Sequence, residues 1–159
     1  MSDIEGTETT VIVVVRTAGR GFGLPAAVVE RVFAAVEITP IPEAPAAVAG
    51  AINIHGAILP VIDLRQRLGY GPSPPSLSAK LVVVQGPVRP LALLVEAVDR
   101  LVELPRQAIA GMAELVPGAR LLDGIAAVSQ QLIFLYDVAA FLSPGDNHSL
   151  EAALGRLAP

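Results

Sequence analysis

A long internal repeat constrains the fold of this chain more than any single motif does. The segment VIVVVRTAGRGFGLPAAVVERVF, from residue 11, aligns without a gap with KLVVVQGPVRPLALLVEAVDRLV, from residue 80. Polar positions align as well as apolar ones, for example Arg20 with Arg89, at an offset of 69 residues. The alternative is that valine-rich strands resemble one another by composition alone, which does not account for the matched polar positions.

The repeat continues downstream with an insertion. GAINIHGAILPVIDLRQRLG, from Gly50, aligns with GIAAVSQQLIFLYDVAAFLS, from Gly124, and Asp63 then falls on Asp137 at an offset of 74 residues. Each copy has the pattern strand, turn, strand, loop, strand, tight turn, strand, aspartate, short helix. The copies are longer than the roughly 20–50 residues of a solenoid unit. They therefore predict two similar small β-barrels, packed together to bury enough apolar area.

The composition supports an all-β protein and excludes several classes of function. The 159 residues are 53% hydrophobic and 16% charged, and 14 Gly and 14 Pro favour many short strands over long helices. The net charge of −4, with 11 scattered basic residues, does not suggest a nucleic-acid-binding protein. There is no cysteine and no secretory signal, and the aliphatic runs are shorter than the roughly 20 residues of a membrane span. We expect a cytoplasmic protein without membrane insertion.

The residues that could carry chemistry do not form a recognisable catalytic or metal site. His55 and His148 have no partners at metal-ligand spacing, and no nucleophile elbow or phosphate-binding loop is present. Asp63 and Asp137 occupy equivalent positions before short helices, which favours structural N-caps over catalysis. We therefore expect no enzyme activity, no metal and no cofactor, and we expect a binding module.

Several local elements follow from the pattern. Residues 1–9 are expected to be a flexible tail. AAVVERVFAAVE could form one amphipathic helix, but its repeat partner favours a helical turn over residues 26–30 and a strand from Arg31. YGPSPPSLS is a connector between the copies. Residues 145–159 are expected to hold a linker and a short helix, capped by Ser149, with a stripe of Leu150, Leu154 and Leu157.

The stretch VAGAINIHGAILPVIDLRQRLG, residues 48–69, resembles the central signature of the CheW-like domain, the coupling module of bacterial chemosensory arrays. Asn53, Gly56 and Asp63 match the family pattern there. LALLVEAVDRLVELP and LIFLYDVAAFL resemble its later segments, so that the resemblance covers residues 11–142. We assign the domain to residues 10–144, with barrel subdomains at roughly 11–70 and 79–143 between which elements can be exchanged.

The resemblance implies a fold of two packed, five-stranded, SH3-like barrels and a non-enzymatic adaptor function. Such adaptors couple the cytoplasmic hairpin tips of methyl-accepting chemoreceptors to the regulatory domain of a CheA-type histidine kinase. The receptor tip docks near the groove between the barrels, and the kinase domain pairs with the adaptor barrel to barrel. The family also implies recruitment to membrane-associated receptor arrays and contact with other CheW-like domains. The implied partner-binding residues are Val29, Arg31, Asn53, His55 and Gly56.

Two positions depart from the family pattern. The family usually has Arg where this chain has His55, and often has Glu where it has Arg31. These differences are either tolerated surface changes or the mark of a divergent adaptor with a partner interface of altered charge, including one in a non-motility pathway. A regulatory domain of a kinase is a further alternative, although the acidic start and C-terminal helix favour an adaptor. A domain that carries a receiver would need residues that this chain lacks.

Overall fold

The computed structural model describes residues 8–111 and 122–157, which form eleven strands and two α-helices. Short 3₁₀ turns lie at Ala26–Val28, Arg106–Ala108 and Val138–Ala140. In chain order the elements are β1 (Thr9–Thr17), β2 (Arg20–Pro25), β3 (Val29–Ala34), β4 (Val48–Ile54), β5 (Ala57–Asp63), α1 (Leu64–Arg67), β6 (Lys80–Gln85), β7 (Pro90–Val95), β8 (Ala97–Pro105), β9 (Ile109–Gly111), β10 (Leu122–Val128), β11 (Gln131–Tyr136) and α2 (Pro144–Leu157).

The strands form two sheets, each of which combines strands from both copies of the repeat. One has six strands in the order β8-β1-β2-β11-β10-β9, and the other has five in the order β3-β6-β7-β5-β4. The first hairpin of each copy, β1–β2 or β6–β7, lies in the sheet that holds the later strands of the other copy. The elements are thus exchanged between the copies, and the six-stranded and five-stranded barrels mix residues from both halves of the chain.

The same pairings recur in both barrels. β8 pairs antiparallel with β1 as β3 pairs with β6, and β2 pairs parallel with β11 as β7 pairs with β5. The six-stranded sheet gains its extra strand from β9, which pairs with β10. In the other sheet the equivalent contact is only an isolated bridge between Thr39 and Ala51. One barrel therefore has the five strands that were predicted, and the other has a sixth, short strand, β9.

β3 and β8, each at one edge of its sheet, have a β-bulge at the same place in their copies. Opposite β6, the register of β3 shifts between Val29 and Arg31, so that Glu30 is the extra residue. Opposite β1, the register of β8 shifts between Val98 and Arg100. Such bulges increase strand twist and bend, which helps a small sheet curve into a barrel.

A second pair of bulges explains two glycines of the repeat. The registers of β4 and β10 shift just before Gly50 and Gly124. A Cβ atom on Gly50 would collide with the carbonyl oxygen of Thr39, and one on Gly124 would lie 2.9 Å from the carbonyl oxygen of Ala110. The backbone of the preceding segment approaches each bulge so closely that only glycine fits there.

Three apolar clusters hold the molecule together. β1 serves two of them, because Val13 and Val15 face a large core between the barrels whereas Ile12 and Val14 face the core of the six-stranded barrel. Ile52 and its neighbours fill the five-stranded barrel. The burial of both faces of β1 agrees with its uninterrupted apolar sequence.

The C-terminal helix covers the core between the barrels. Leu150 and Ala153 of α2 are fully buried in that core. α2 begins at Pro144, so the residues expected to form a linker are helical, and Ser149 lies inside the helix rather than at its N-cap. Instead, the hydroxyl oxygen of Ser143 accepts a hydrogen bond from the Asp146 N–H at 3.0 Å. The side chain of Leu157 lies outside the described set.

At the N-terminus, the described chain starts at Glu8, and Thr9 already pairs with Pro105 in β1. The predicted tail therefore does not extend to residue 9, and residues 1–7 lie outside the described part. No helix in the described residues is long and apolar enough to cross a membrane.

Candidate functional site

The β4–β5 turn holds three of the five predicted partner-binding residues. Ile54 pairs with Ala57, and the two residues between them have positive φ angles, 51° at His55 and 89° at Gly56. This combination is typical of the type I′ hairpin turn. The Oδ1 atom of Asn53 accepts a hydrogen bond from the Gly56 N–H at 2.8 Å. The turn is thus fixed by its own residues and presents His55 to solvent.

The other two predicted residues lie on β3, at the opposite edge of the same sheet. Val29 is half-buried against the core between the barrels, and Arg31 is exposed. β3, β7 and β5 run in the same direction. The start of β3 and the turn that precedes β5 therefore lie at one end of the five-stranded barrel.

Two exposed aliphatic residues at this end were not predicted. Ile58, directly after the turn, is 50% exposed, and Val88, in the β6–β7 loop, is 59% exposed. Ile58 belongs to the apolar run AILPVI, in which sequence alone does not distinguish exposed from buried positions. We call Val29, Arg31, Asn53, His55, Gly56, Ile58 and Val88 together the barrel-end surface.

The side chains of Arg31 and His55 on the barrel-end surface are exposed. Within residues 8–111 and 122–157, no side-chain hydrogen bond or ion pair engages Arg31 or His55. Arg89, in contrast, lies 4.0 Å from a carboxylate oxygen of Glu151. Arg31 therefore offers a free guanidinium beside apolar surface, a combination common at protein interfaces.

The two aspartates expected to cap short helices both accept backbone hydrogen bonds. Asp63 accepts one from the Gln66 N–H at 3.3 Å, and Asp137 accepts one from the Ala139 N–H at 3.0 Å. Asp63 is buried and also accepts bonds from the N–H and hydroxyl of Ser73, at 2.8 and 2.6 Å. Asp137 is exposed. These contacts give both aspartates a structural role.

A second surface lies where the two barrels meet. It is a groove with a volume of about 720 Å³, which we call the junction groove. Both sheets contribute to it, as do the segment that follows β3 and the connector that precedes β6. Its lining consists of Arg16, Ala35, Val36, Ile38, Ser73, Pro74, Pro75, Ser76, Ser78, Ala79, Leu94, Val95, Glu96 and Ala97.

The two charged side chains of the junction groove are already paired within the protein. The Glu96 carboxylate accepts hydrogen bonds from the N–H groups of Ala18 and Gly19, at 3.1 and 3.2 Å. The Arg16 guanidinium donates to the Gly19 carbonyl at 3.2 Å and lies 3.8 Å from Asp99. The groove therefore offers a partner mainly apolar and hydroxyl groups.

The described residues hold no group of three or more His, Asp or Glu side chains that could bind a metal ion. Both surfaces include residues of β3 or of the segment that directly follows it. β3 connects them, because Val29 and Arg31 lie at its start whereas Ala35 and Val36 follow its end. At about 3.3 Å per residue, Ala35 is roughly 20 Å from Val29 and roughly 13 Å from Arg31 along the strand.

Comparison with known proteins gives a consistent picture. Residues 11–144 match the family described as CheW-like domain. A probable chemotaxis protein CheW of Rhizobium etli is 31% identical over 113 residues, which are 70% of this chain and 73% of that protein. The chemotaxis protein CheW of Rhizobium meliloti is 44% identical over 61 residues, 38% of this chain and 39% of that protein.

The crystal structure of the scaffolding protein TtCheW from Thermoanaerobacter tengcongensis is similar to this one, with a TM-score of 0.78 and 28% identity. The match covers 87% of this chain and 96% of that chain. The family match, the related sequences and the two-barrel fold agree, and the chain belongs to the CheW-like domain family of chemotaxis scaffold proteins.

Proposed function

We propose that the protein is a non-enzymatic adaptor that couples chemoreceptor cytoplasmic tips to a CheA-type histidine kinase at receptor arrays in the cytoplasm. The observation that carries this proposal is the presence of two separate exposed surfaces at opposite ends of β3. An adaptor must bind two partners at once, and two separate surfaces give each partner its own set of contact residues.

The barrel-end surface is the proposed site for the regulatory domain of the kinase. Ile58 and Val88 supply exposed aliphatic area, and Arg31 supplies a free charge at its edge. The β4–β5 turn is rigidified by the Asn53–Gly56 hydrogen bond, which lowers the entropic cost of binding.

The junction groove is the proposed site for the receptor tip. Its apolar lining and its paired charges suit the apolar face of a helical hairpin better than a charged ligand. Burial of that face would remove Val36 and Leu94 from water and would leave the intramolecular pairs of Arg16 and Glu96 intact.

Calorimetric titration tests the proposal with the regulatory domain of a CheA-type kinase and a receptor hairpin fragment from the same organism. We expect one-to-one binding of each at roughly micromolar strength, about −8 kcal/mol. We also expect the complex with either partner to bind the other. Mutually exclusive binding, or no binding of either partner to folded protein, would contradict the proposal.

A matched pair of variants locates the kinase site. Arg31→Glu reverses the charge of the barrel-end surface, whereas Arg100→Glu changes the equivalent exposed residue of β8 in the other barrel. We expect the first variant alone to change kinase affinity, by about tenfold, and neither variant to change receptor affinity. Equal effects of the two variants would place the kinase elsewhere.

A second candidate is an adaptor of a divergent chemosensory pathway, including one without a motility output. The exposed, unpaired Arg31 and His55 favour it, because they give the barrel-end surface a charge pattern unlike the usual one of the family. His55→Arg tests it. A divergent interface predicts a loss of affinity for the native kinase or a gain for a standard one, and no change in either indicates a tolerated substitution.

A further inference from the structure

The six-stranded barrel ends in two neighbouring turns with a small pocket between them. The β1–β2 turn and the β10–β11 turn lie side by side, because β2 runs parallel to β11 and Phe22 pairs with Phe134. The pocket has a volume of about 260 Å³, and Arg16, Arg20 and Leu132 are among the residues that line it. We call it the arginine pocket.

The arginine pocket is the counterpart, in the six-stranded barrel, of the barrel-end surface. Leu132 aligns with Ile58 at an offset of 74 residues, and Arg20 aligns with Arg89 at an offset of 69. Leu132 and Ile58 are both exposed, at 64% and 50%. Each barrel thus presents an exposed aliphatic residue just after a tight turn.

The two aligned arginines have different partners. Arg89 lies 4.0 Å from a carboxylate oxygen of Glu151, whereas the Arg20 guanidinium lies over the Tyr70 ring, 5.8 Å from its centre. Within residues 8–111 and 122–157, no hydrogen bond or ion pair engages Arg20. A guanidinium over an aromatic ring keeps N–H donors at its edge, where a carboxylate can accept from them.

The electrostatics of the pocket favour a single negative charge. No carboxylate is among the described residues that line it, although the chain has a net charge of −4. The second cation, Arg16, is already engaged, because it donates to the Gly19 carbonyl at 3.2 Å and lies 3.8 Å from Asp99. The nearby Glu96 accepts two backbone hydrogen bonds and lines the junction groove instead. Arg20 is therefore the one unpaired charge among the described lining residues.

Glycine at position 21 leaves open space inside the pocket. A Cβ atom on Gly21 would lie 3.0 Å from the Cδ1 atom of Ile133 and 3.9 Å from the Nη1 atom of Arg16, and both of these residues line the pocket. In the other copy the equivalent residue is Pro90. The space at Gly21 therefore adjoins an apolar side chain and a guanidinium at once.

We propose that the arginine pocket is a third docking site, which binds a segment of another protein in which a carboxylate side chain lies beside an apolar one. The carboxylate pairs with Arg20, whose planar N–H groups suit it, and the apolar side chain packs on Leu132 and Phe134. An arginine beside exposed aliphatic surface is a common combination at protein interfaces. A nucleic acid is disfavoured, because it needs several free cations and the net charge of −4 repels it.

A pair of short peptides tests this specificity on the full chain. The probe is acetyl-Ala-Leu-Glu-Ala-amide, and its comparison is the same peptide with glutamine in place of glutamate. NMR titration should show saturable shifts of the backbone N–H signals of Gly19, Gly21 and Gln131 with the glutamate peptide, at roughly millimolar strength. The glutamine peptide should bind about fivefold more weakly, and added salt should reduce this difference.

Three variants assign the contacts. Arg20→Gln should weaken binding of the glutamate peptide by about fivefold and leave the glutamine peptide nearly unchanged. Arg100→Gln is the matched control, because it removes the same charge from an exposed position of β8 outside the pocket lining, and it should keep the preference for glutamate. Gly21→Ala places a methyl group in the open space beside Ile133 and should weaken binding of both peptides.

Several results would overturn this inference. They are the absence of saturable shifts at the pocket, equal binding of the two peptides, and equal losses in Arg20→Gln and Arg100→Gln. Stronger shifts of the same signals with inorganic phosphate would indicate a site for free anions instead. Shifts that depend on protein concentration without peptide would assign the pocket to a second copy of the chain. None of these results bears on the adaptor function, because the titration contains neither kinase nor receptor.

Discussion

The two copies of the repeat end in the same way, with a strand, an aspartate and one helical turn, yet the two aspartates have different surroundings. Asp63 is 6% exposed and accepts three hydrogen bonds, two of them from Ser73. Asp137 is exposed and accepts one, from the Ala139 N–H. Only in the first copy does the capping aspartate also accept hydrogen bonds from the connector that follows the helical turn.

The chain that follows each aspartate explains the difference. After the first copy, an extended connector turns back over α1, and Ser73 meets Asp63 ten residues earlier. After the second copy, α2 packs Leu150 into the core between the barrels. The first copy thus continues as an extended connector held by hydrogen bonds, and the second copy continues as a helix held by burial of apolar side chains. Equivalent positions in a repeat need not keep equivalent functions.

A further contact joins the two helical turns across the molecule. The Nε atom of Arg67, in α1, donates to the Phe141 carbonyl at 2.7 Å. Arg67 and Phe141 occupy equivalent positions in the two copies, since the offset is 74 residues, as for Asp63 and Asp137. The arginine supplies a hydrogen bond to a carbonyl that ends the opposite turn, and it ties the two copies together where they meet.

The largest expected effect concerns the apolar burial of α2, which follows the second copy. Leu150→Ala should lower the free energy of unfolding by about 2–5 kcal/mol, because it leaves a cavity in the central core. Leu77→Ala, in the connector, should change it by no more than about 0.5 kcal/mol. Urea unfolding measures both. A small loss in Leu150→Ala would show that α2 is dispensable for the core.

The next effect compares the aspartates. Asp63→Ala should cost about 2–4 kcal/mol, because it removes three hydrogen bonds to a buried carboxylate and leaves the Ser73 N–H without its acceptor. Asp137→Ala should cost about 1 kcal/mol, the usual value of a cap. Thermal unfolding of the two variants provides the comparison, and equal losses would contradict the different roles assigned here.

The hairpin turns allow a smaller, reciprocal test. Gln130 has a φ of 67° in the β10–β11 turn, where the first copy has Gly56. A non-glycine residue in this region is strained by roughly 1–2 kcal/mol. Glycine recovers only part of that strain, because it also loses more entropy on folding. Gln130→Gly should therefore stabilise the protein by about 0.5–1 kcal/mol, and Gly56→Gln should destabilise it similarly. A stability change of the same sign in both would refute this account.

The smallest effect at neutral pH concerns Tyr136, which occupies the position of Ile62 in the first copy. Burial, and to a lesser extent the nearby Tyr70, raises the pKa of Tyr136 from 10.0 to about 12. Between these values the unfolded chain releases a proton that the folded protein retains, so stability falls as pH rises from 10 towards 12.

Denaturant titrations at several alkaline pH values measure this fall. Tyr136→Phe should reduce the decline and change stability little at pH 7, since the tyrosine is uncharged there. Tyr70→Phe is the control, because it removes only the lesser cause of the shift and should reduce the decline less. An unchanged alkaline decline in Tyr136→Phe would assign it to other groups.

Much of the fold and part of the site were predictable from local patterns. The aligned valine runs predicted β1 and β6, His55-Gly56 predicted a turn between strands, and Asp63 and Asp137 preceded short helices. These features depend on residues close in sequence, so that periodicity, turn preference and capping suffice to predict them. The family resemblance added Val29 and Arg31 as predicted partner-binding residues, and no local pattern marks either of them.

The sequence by itself therefore determined the repeat, the strands, the tight turns, the capping aspartates and the family. The tertiary structure decided the exchange of hairpins between copies, the burial of Asp63 against Ser73, the exposure of Ile58 and the junction groove. The physical reason is that these features depend on how segments pack against one another in three dimensions, even where, as for Asp63 and Ser73, they lie only ten residues apart. Local sequence patterns do not determine whether β1 pairs with β8 or with the later strands of its own copy. Only the packing of all the apolar faces together selects one arrangement.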